Sequence, residues 1–292
     1  VTPGGPLGGP LAGRPFVKMT GSGNDFVFFD VRDAAPLTLD AATVRAICAR
    51  GTGVGADGIV VLGPAVDADA ELLYVNADGS AASLCGNATL CAVRLLSGER
   101  GAGSTPGPEV VLVTGTGTVT GRVQHGIAEI DLDPAGSVTA DLSMDVPRDG
   151  DERALGFALA GVPHLVVLVD DVEAVDVAGR GAALRRHRAL GAAGANVNFV
   201  APVDGGGWAI RTYERGVEGE TLACGTGVVA SANLVRTWGA DRGSGPVSFR
   251  TRSGSTLRVR LTGGTATTAP RPSLSGEGRT VFRGTLEDLA LG

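Results

Sequence analysis

The 292-residue sequence predicts an α+β fold of two pseudo-twofold-related domains, each a mostly antiparallel sheet wrapped round a central buried helix. Two observations predict it. The order strand, polar loop, Cys-Gly, apolar helix, strand meander occurs twice, once in each half, which marks an internal repeat of about half the chain. The helices that follow Cys85-Gly86 and Cys224-Gly225 are apolar almost all round. A helix without a polar face has to be enclosed, and a sheet wrapped round it does so. The 47 glycines supply the turns that such a meander needs.

Along the chain, the Gly/Pro-rich start Val1-Thr2-Pro3-Gly4-Gly5-Pro6 has neither a basic start nor an apolar core, so residues 1–15 read as a flexible leader and not a signal peptide. Residues 16–133 form the first domain. Phe16–Met19 and Phe26–Asp30 are strands flanking the Gly21-Ser22-Gly23-Asn24-Asp25 loop. Asp40 caps a helix that runs through Arg50 and stops at Gly51. Ile59–Leu62 and Glu71–Val75 are strand-like. Leu90, Ala92, Val93, Leu95 and Leu96 mark the first buried helix, and Val110–Val113, Gly117–Val123 and Ile127–Leu132 a meander.

The second domain, residues 134–277, starts the pattern again. Leu165–Val169 is a strand, Ala182–Leu190 a helix, and Val197–Val200 and Trp208–Glu214 strands. The second buried helix, Val228–Val235, leads to strands at Val247–Arg250 and Leu257–Leu261. The final strand, Thr280–Gly284, is expected to cross back, so that residues 278–292 complete the first domain.

Composition narrows the function. A net charge of −6 and a pI near 5.1 argue against nucleic acid as a partner. No apolar run approaches the roughly 20 residues that span a bilayer, so no membrane association is expected. Four cysteines without a Cys-x-x-Cys, and only three histidines, give no metal cluster and no disulfide framework. The chain reads as a reduced, cytoplasmic protein. Gly53-Val54-Gly55-Ala56-Asp57-Gly58 matches the glycine pattern of dinucleotide sites, but a helix precedes it and a strand follows it, the reverse of the required order. It is read as a helix-to-strand turn bordering the active site, and no cofactor is expected.

Cys48 and Cys91 lie inside helices among apolar residues and read as small core residues. Cys85 and Cys224 instead sit at helix mouths beside polar loops. A helix start carries unpaired N–H donors and a positive dipole end, which favour a thiolate and bind a carboxylate. Two such thiols in matching contexts suit attack on one carbon from opposite faces, the requirement for inverting a stereocentre by proton transfer. Arg215 can take a carboxylate with two hydrogen bonds. Asn24, Asn76 and Asn198 lie at strand ends, and His164 is either a general base or a structural histidine.

Together these residues resemble the diaminopimelate epimerases, amino-acid racemases that use no pyridoxal phosphate. The likeness runs from Met19 to Gly284. It is carried by Lys18-Met19-Thr20-Gly21-Ser22-Gly23-Asn24-Asp25-Phe26, by Gly53 to Gly58, and by Asn76-Ala77-Asp78-Gly79-Ser80 through Cys85-Gly86-Asn87. Gly161-Val162-Pro163-His164, Asn196-Val197-Asn198-Phe199 and Glu214-Arg215-Gly216 through Glu220-Thr221-Leu222-Ala223-Cys224-Gly225-Thr226-Gly227 follow in order. The resemblance implies an isomerase converting LL- to meso-diaminopimelate for lysine and peptidoglycan precursors, working as a homodimer. One thiol takes the α-proton while the other returns one to the far face. The N–H groups of Gly86, Asn87, Gly225 and Thr226 hold the α-carboxylate, and Asn24, Asn76, Asn198, Glu214 and Arg215 the distal end. The chain departs from the family at Thr20, Ala88, Leu90 and Val162, which points to a second reading as a racemase of another amino acid. A non-catalytic binding protein and a dithiol redox protein are the readings outside this class.

Overall fold

A computed structural model describes residues 11–99, 107–265 and 268–287. The chain divides into two compact units, residues 1–130 with 276–292 and residues 131–275. The first contains β1 (Pro15–Gly21), β2 (Asn24–Asp30), α1 (Ala41–Cys48), β3 (Gly58–Gly63), β4 (Ala70–Asn76), β5 (Ala81–Ala82), α2 (Gly86–Glu99), β6 (Val110–Thr114), β7 (Gly117–Gln124) and β8 (Ile127–Asp131). β1 and β2 form an antiparallel hairpin, and β3 and β4 another antiparallel pair. β5 folds back on the end of β4, and β6, β7 and β8 make a meander. β2–β3 and β4–β6 are parallel, and a helix lies in each of those connections, as a crossover between parallel strands requires.

The second unit repeats this plan. After β9 (Val138–Thr139) come β10 (Glu152–Ala160), β11 (Val162–Val169), α3 (Val177–Arg185), β12 (Asn196–Pro202), β13 (Trp208–Glu214), β14 (Gly219–Thr221), α4 (Gly225–Thr237), β15 (Val247–Arg250), β16 (Thr256–Thr262) and β17 (Arg271–Gly276). β10–β11, β12–β13, β13–β14, β15–β16 and β16–β17 are antiparallel, while β11–β12 and β13–β15 are parallel. Every pairing has its counterpart in the first unit. The last strand, β18 (Arg279–Thr285), returns to pair antiparallel with β1, as the sequence led us to expect. β9 does the same for β10.

Each sheet is covered on both faces. In the first unit Val27 and Phe29 of β2 and Ile59 and Val61 of β3 pack with Val44 and Ile47 of α1. Phe26 and Phe28, which alternation puts on the other face, are also buried. α2 packs against β1, β6, β7 and β18. α4 packs in the same way against β10, β11, β12 and β16, while α3 covers the other face with Leu184 against Val197 and Phe199. Burial on two faces explains why β2, β3, β11 and β12 read as unbroken apolar runs.

Several boundaries differ from the sequence reading. The first helix is capped by Asp40, whose Oδ1 accepts from Thr43 N at 2.7 Å, but it ends at Cys48 and not Arg50. The carbonyls of Ile47 and Cys48 are taken by the N–H groups of Gly55 and Ala56, so the glycine loop itself closes the helix. The predicted helix at 182–190 is the helix Val177–Arg185, capped by Asp176, followed by a single 3-10 turn at Arg188–Leu190. Its glycines obscured it, yet Gly181 is needed: a Cβ there would fall 2.4 Å from Tyr213 Cβ and 2.6 Å from its ring carbon Cγ. The strand β10 escaped the sequence reading because Ala and Gly weaken its pattern. Of the stretch read as a leader, residues 1–10 lie outside the described residues. Gly13 N donates to Leu286 O at 2.7 Å, and Leu11 packs on the α1 cluster, so residues 11–15 belong to the fold.

The helix α2 lies so close to β7 that a Cβ on Gly121 would fall 2.4 Å from Val93 Cγ2. Gly121→Ala is expected to destabilise the protein by about 1–3 kcal/mol through overpacking. Combined with Val93→Ala, its cost should largely vanish. A double-mutant cycle by urea unfolding checks this, and additive losses would contradict it.

Candidate active site

The first Cys-Gly junction ends the loop after β5. The carbonyl of Cys85 accepts both Thr89 N and Thr89 Oγ1 at 2.9 Å, which opens α2 directly behind the thiol. Cys85 is half-buried and not in a disulfide. By helix geometry the N–H groups of Gly86 and Asn87 have no intrahelical acceptor. Asn87 is buried, and its Nδ2 donates to Asn24 Oδ1 at 2.7 Å. Asn24 Nδ2 in turn donates to Asp57 Oδ2 at 3.0 Å. Behind Asp57 stands an ion cluster: Arg50 bridges Asp25 at 2.7 Å and Asp57 at 2.8 Å, and Lys18 pairs with Asp25 at 2.6 Å. The Arg50 and Lys18 bonds outweigh the opposing effect of burial and hold the Asp25 carboxyl below its ordinary range. Asn76 is separate from this chain. It ends β4 opposite Gly58, and its Nδ2 donates to Ser80 Oγ at 3.0 Å.

The second junction follows β14. Cys224 is the N-cap residue of α4, extended at φ −132° and ψ 107°, with no side-chain capping bond. The outer helices α1 and α3 are each capped by an aspartate. Thr226 Oγ1 lies 3.5 Å from Cys224 Sγ. A Cβ on Gly227 would fall 2.3 Å from Asn198 Oδ1 and 3.3 Å from Cys224 Sγ, so only glycine lets the Asn198 amide reach under the helix start.

Asn198 is fully buried and fully engaged. Its Nδ2 donates to Leu165 O at 3.0 Å, and its Oδ1 accepts from Thr212 Oγ1 at 3.0 Å. The atom facing His164 Nδ1 at 3.2 Å is therefore the amide nitrogen. This network assigns Nδ1 of His164 as an acceptor and puts the ring proton on Nε2. Nε2 is buried with no hydrogen-bond partner among the described residues. Burial, reinforced by the positive charge of Arg215, pushes the His164 pKa down to about 3. Held neutral with its proton on Nε2, His164 is a hydrogen-bond donor there, and the reading of it as a general base is set aside. Burial pushes the Glu214 carboxyl up. Arg215 N donates to Asn196 Oδ1 at 2.7 Å. Arg211 donates two hydrogen bonds to the Glu220 carboxylate, at 2.7 and 2.8 Å, and Arg185 pairs with Glu218 at 2.6 Å. Among the described residues no carboxylate pairs with Arg215.

The sequence reading missed Asp57, Asn196 and Thr212, the residues that orient Asn24, the Arg215 backbone and Asn198. Asp57 stood in the glycine turn singled out above, and its carboxylate there was the available signal. Cys48 and Cys91 are core thiols as expected: burial pushes Cys48 up to about 11 and Cys91 further. Among the described residues no group of three or more His, Cys, Asp or Glu could hold a metal, and no helix is long and apolar enough to cross a membrane.

The same two-unit plan occurs in solved structures. A hydroxyproline epimerase from Agrobacterium vitis superposes with a TM-score of 0.68 at 18% identity, covering 94% of this chain and 93% of its own. A phenazine biosynthesis protein of the PhzF family from Bacillus anthracis gives 0.71 at 12% identity, covering 94% and 98%. These likenesses define the fold. The family model for diaminopimelate epimerase matches residues 16–136 and 157–267, taking in both Cys-Gly helix starts. A diaminopimelate epimerase of Gemmatimonas aurantiaca is 50% identical over 284 residues, 94% of this chain and 99% of that protein. One from Aquifex aeolicus is 40% identical, covering 84% and 88%. The chain is thus an isomerase of the epimerase class. It belongs to the diaminopimelate epimerase family.

The buried neutral imidazole has a consequence for stability. The unfolded chain takes up a proton at His164 near pH 6.5, whereas the native state does so only near 3. Between those values the unfolded state binds more protons, so stability falls as pH falls, by up to about 1.4 kcal/mol per unit. Urea unfolding between pH 7 and 5 should show this slope, and His164→Gln should flatten it.

Proposed function

We propose that this chain interconverts LL- and meso-diaminopimelate without a cofactor, with Cys85 and Cys224 as the two proton-transfer groups. The observation that carries the reading is 50% identity across almost the whole length of a diaminopimelate epimerase. The α-hydrogen of an amino acid is a very weak acid, so the carbanionic character that develops has to be stabilised as the proton leaves. The N–H groups of Gly86, Asn87, Gly225 and Thr226 sit at positive helix ends and meet the charge that grows on the α-carboxylate. A thiolate removes the proton from one face and a thiol supplies one to the other; the proton count is balanced, with the two sulfurs exchanging protonation states in each turnover.

Among the described residues no carboxylate pairs with Arg215, and its guanidinium is the group assigned to the distal carboxylate. Asn76 and Glu214 lie at strand ends for the same task, Glu214 half-buried at the end of β13 and next to Arg215. Asn24 and Asn198 contribute through their hold on Asn87 and His164. The residues that raised a different substrate have local explanations. Ala88 and Leu90 are fully buried on α2, Thr20 Oγ1 donates to Asn24 O at 2.9 Å, and Val162 is a strand residue paired with Ala160. None of the four supports another amino acid over diaminopimelate. With this function goes a cytoplasmic homodimer in lysine and peptidoglycan-precursor synthesis.

Cys85→Ala and Cys224→Ala should each lower epimerisation by about 10²–10⁴-fold or more with the thermal midpoint nearly unchanged. The assay is NMR of α-deuterium incorporation into LL-diaminopimelate in deuterated water. Near-normal turnover in either variant would sink the two-thiol mechanism. Arg215→Met should lower kcat/KM by an amount equivalent to about 2–5 kcal/mol while leaving stability intact. Wild-type protein that ignores diaminopimelate but exchanges the α-proton of an apolar amino acid would show that the distal assignment is wrong.

A further inference from the structure

We propose that Asp57 is a positioning residue that turns the Asn87 side chain so that its carbonyl oxygen faces the ammonium group of the amino-acid substrate. The proposal rests on the function above for the substrate's identity, while the orientation follows from hydrogen bonds alone. A carboxylate accepts and cannot donate. Asp57 Oδ1 accepts from Arg50 Nη2 at 2.8 Å, and Oδ2 accepts from Asp25 N at 3.2 Å and Asn24 Nδ2 at 3.0 Å. The Asn24 amide therefore has its nitrogen toward Asp57 and its oxygen away. That oxygen in turn can only accept, and it takes Asn87 Nδ2 at 2.7 Å. With its nitrogen committed, Asn87 is left presenting Oδ1. This atom is buried, in a residue 2% exposed, and among the described residues no group donates to it.

Buried carbonyls in native folds have partners, so an orphaned one beside a reactive thiol marks the place of a donor that arrives from outside. Asn87 is the second residue of α2 and stands two positions after Cys85. The helix start there suits a carboxylate but repels the ammonium attached to the same carbon. An acceptor at Asn87 offsets that repulsion. Without Asp57 the Asn24 amide has no reason to prefer either orientation, and Asn87 would present its NH₂ group as readily as its oxygen.

The test compares binding of diaminopimelate, as its equilibrium mixture of isomers, with binding of pimelate, the same dicarboxylate with both ammonium groups replaced by hydrogen. Calorimetry is run on wild type, Asp57→Asn, Asn87→Ala and the double variant. Asn87→Ala keeps the backbone N–H and carries the test if Asp57→Asn does not fold. Each single variant should weaken diaminopimelate by about tenfold to a hundredfold, leave pimelate nearly unchanged, and show no further loss when combined. Equal weakening of both ligands, or an undiminished preference for diaminopimelate, overturns the proposal. If wild type binds neither compound, the substrate assignment is what fails. The orientation is then judged by NMR exchange of the Asn24 and Asn87 side-chain amide protons, slow in wild type and fast in Asp57→Asn; equal protection in both overturns it.

Discussion

A helix with no polar side must be surrounded, and in each unit that requirement shapes nearly everything else. α2 and α4 carry buried residues on every face, so the sheet has to curve round them, and their flanking strands come close enough to demand glycine at Gly121 and Gly156. A Cβ at Gly156 would meet Leu234 Cδ2 at 2.6 Å. An enclosed helix can be entered by a polar ligand only at its end. The donors that its first turn cannot satisfy internally are then the natural contact for an anion, and Cys-Gly is the sequence found there in both units.

How the four helices begin makes the division of labour visible. α1 and α3 are closed by Asp40 and Asp176, each accepting from a first-turn N–H. α4 begins with a cysteine that makes no capping bond. A side-chain cap satisfies one first-turn N–H from within the protein, and at α4 the cysteine side chain does not take that role. The thiols divide in the same way: burial pushes Cys48 and Cys91 up and keeps them neutral sulfhydryls inside the core, while Cys85 and Cys224 stand where α2 and α4 begin.

Around the two helix starts, buried amides are held in one orientation by groups whose hydrogen-bonding sense is fixed. Asp57 can only accept and Thr212 donates to Asn198, so neither the Asn24–Asn87 pair nor the Asn198–His164 pair can reverse. One chain ends in a buried carbonyl oxygen and the other in an imidazole whose proton lies on Nε2, each a dipole of fixed direction.

The repeat, the two enclosed helices and the placing of two cysteines at helix starts and two inside the core were legible in the sequence, because each depends on local pattern: apolar periodicity, a Cys-Gly pair after a polar loop, or a thiol among Ala and Val. The return of β18 to β1 was legible for the same reason, since the repeat left one strand over. The ends of α1 and α3 were not, because they are decided by what the following loop does with the last carbonyls and by Tyr213 packing against Gly181. Nor were the roles of Asp57, Thr212 and Asn196, which lie far along the chain from the groups they orient. Sequence determines which residue types are present and which face of an element is apolar. The direction in which a buried amide or imidazole points depends on partners brought together only when strands pair, and so only the tertiary structure decides it.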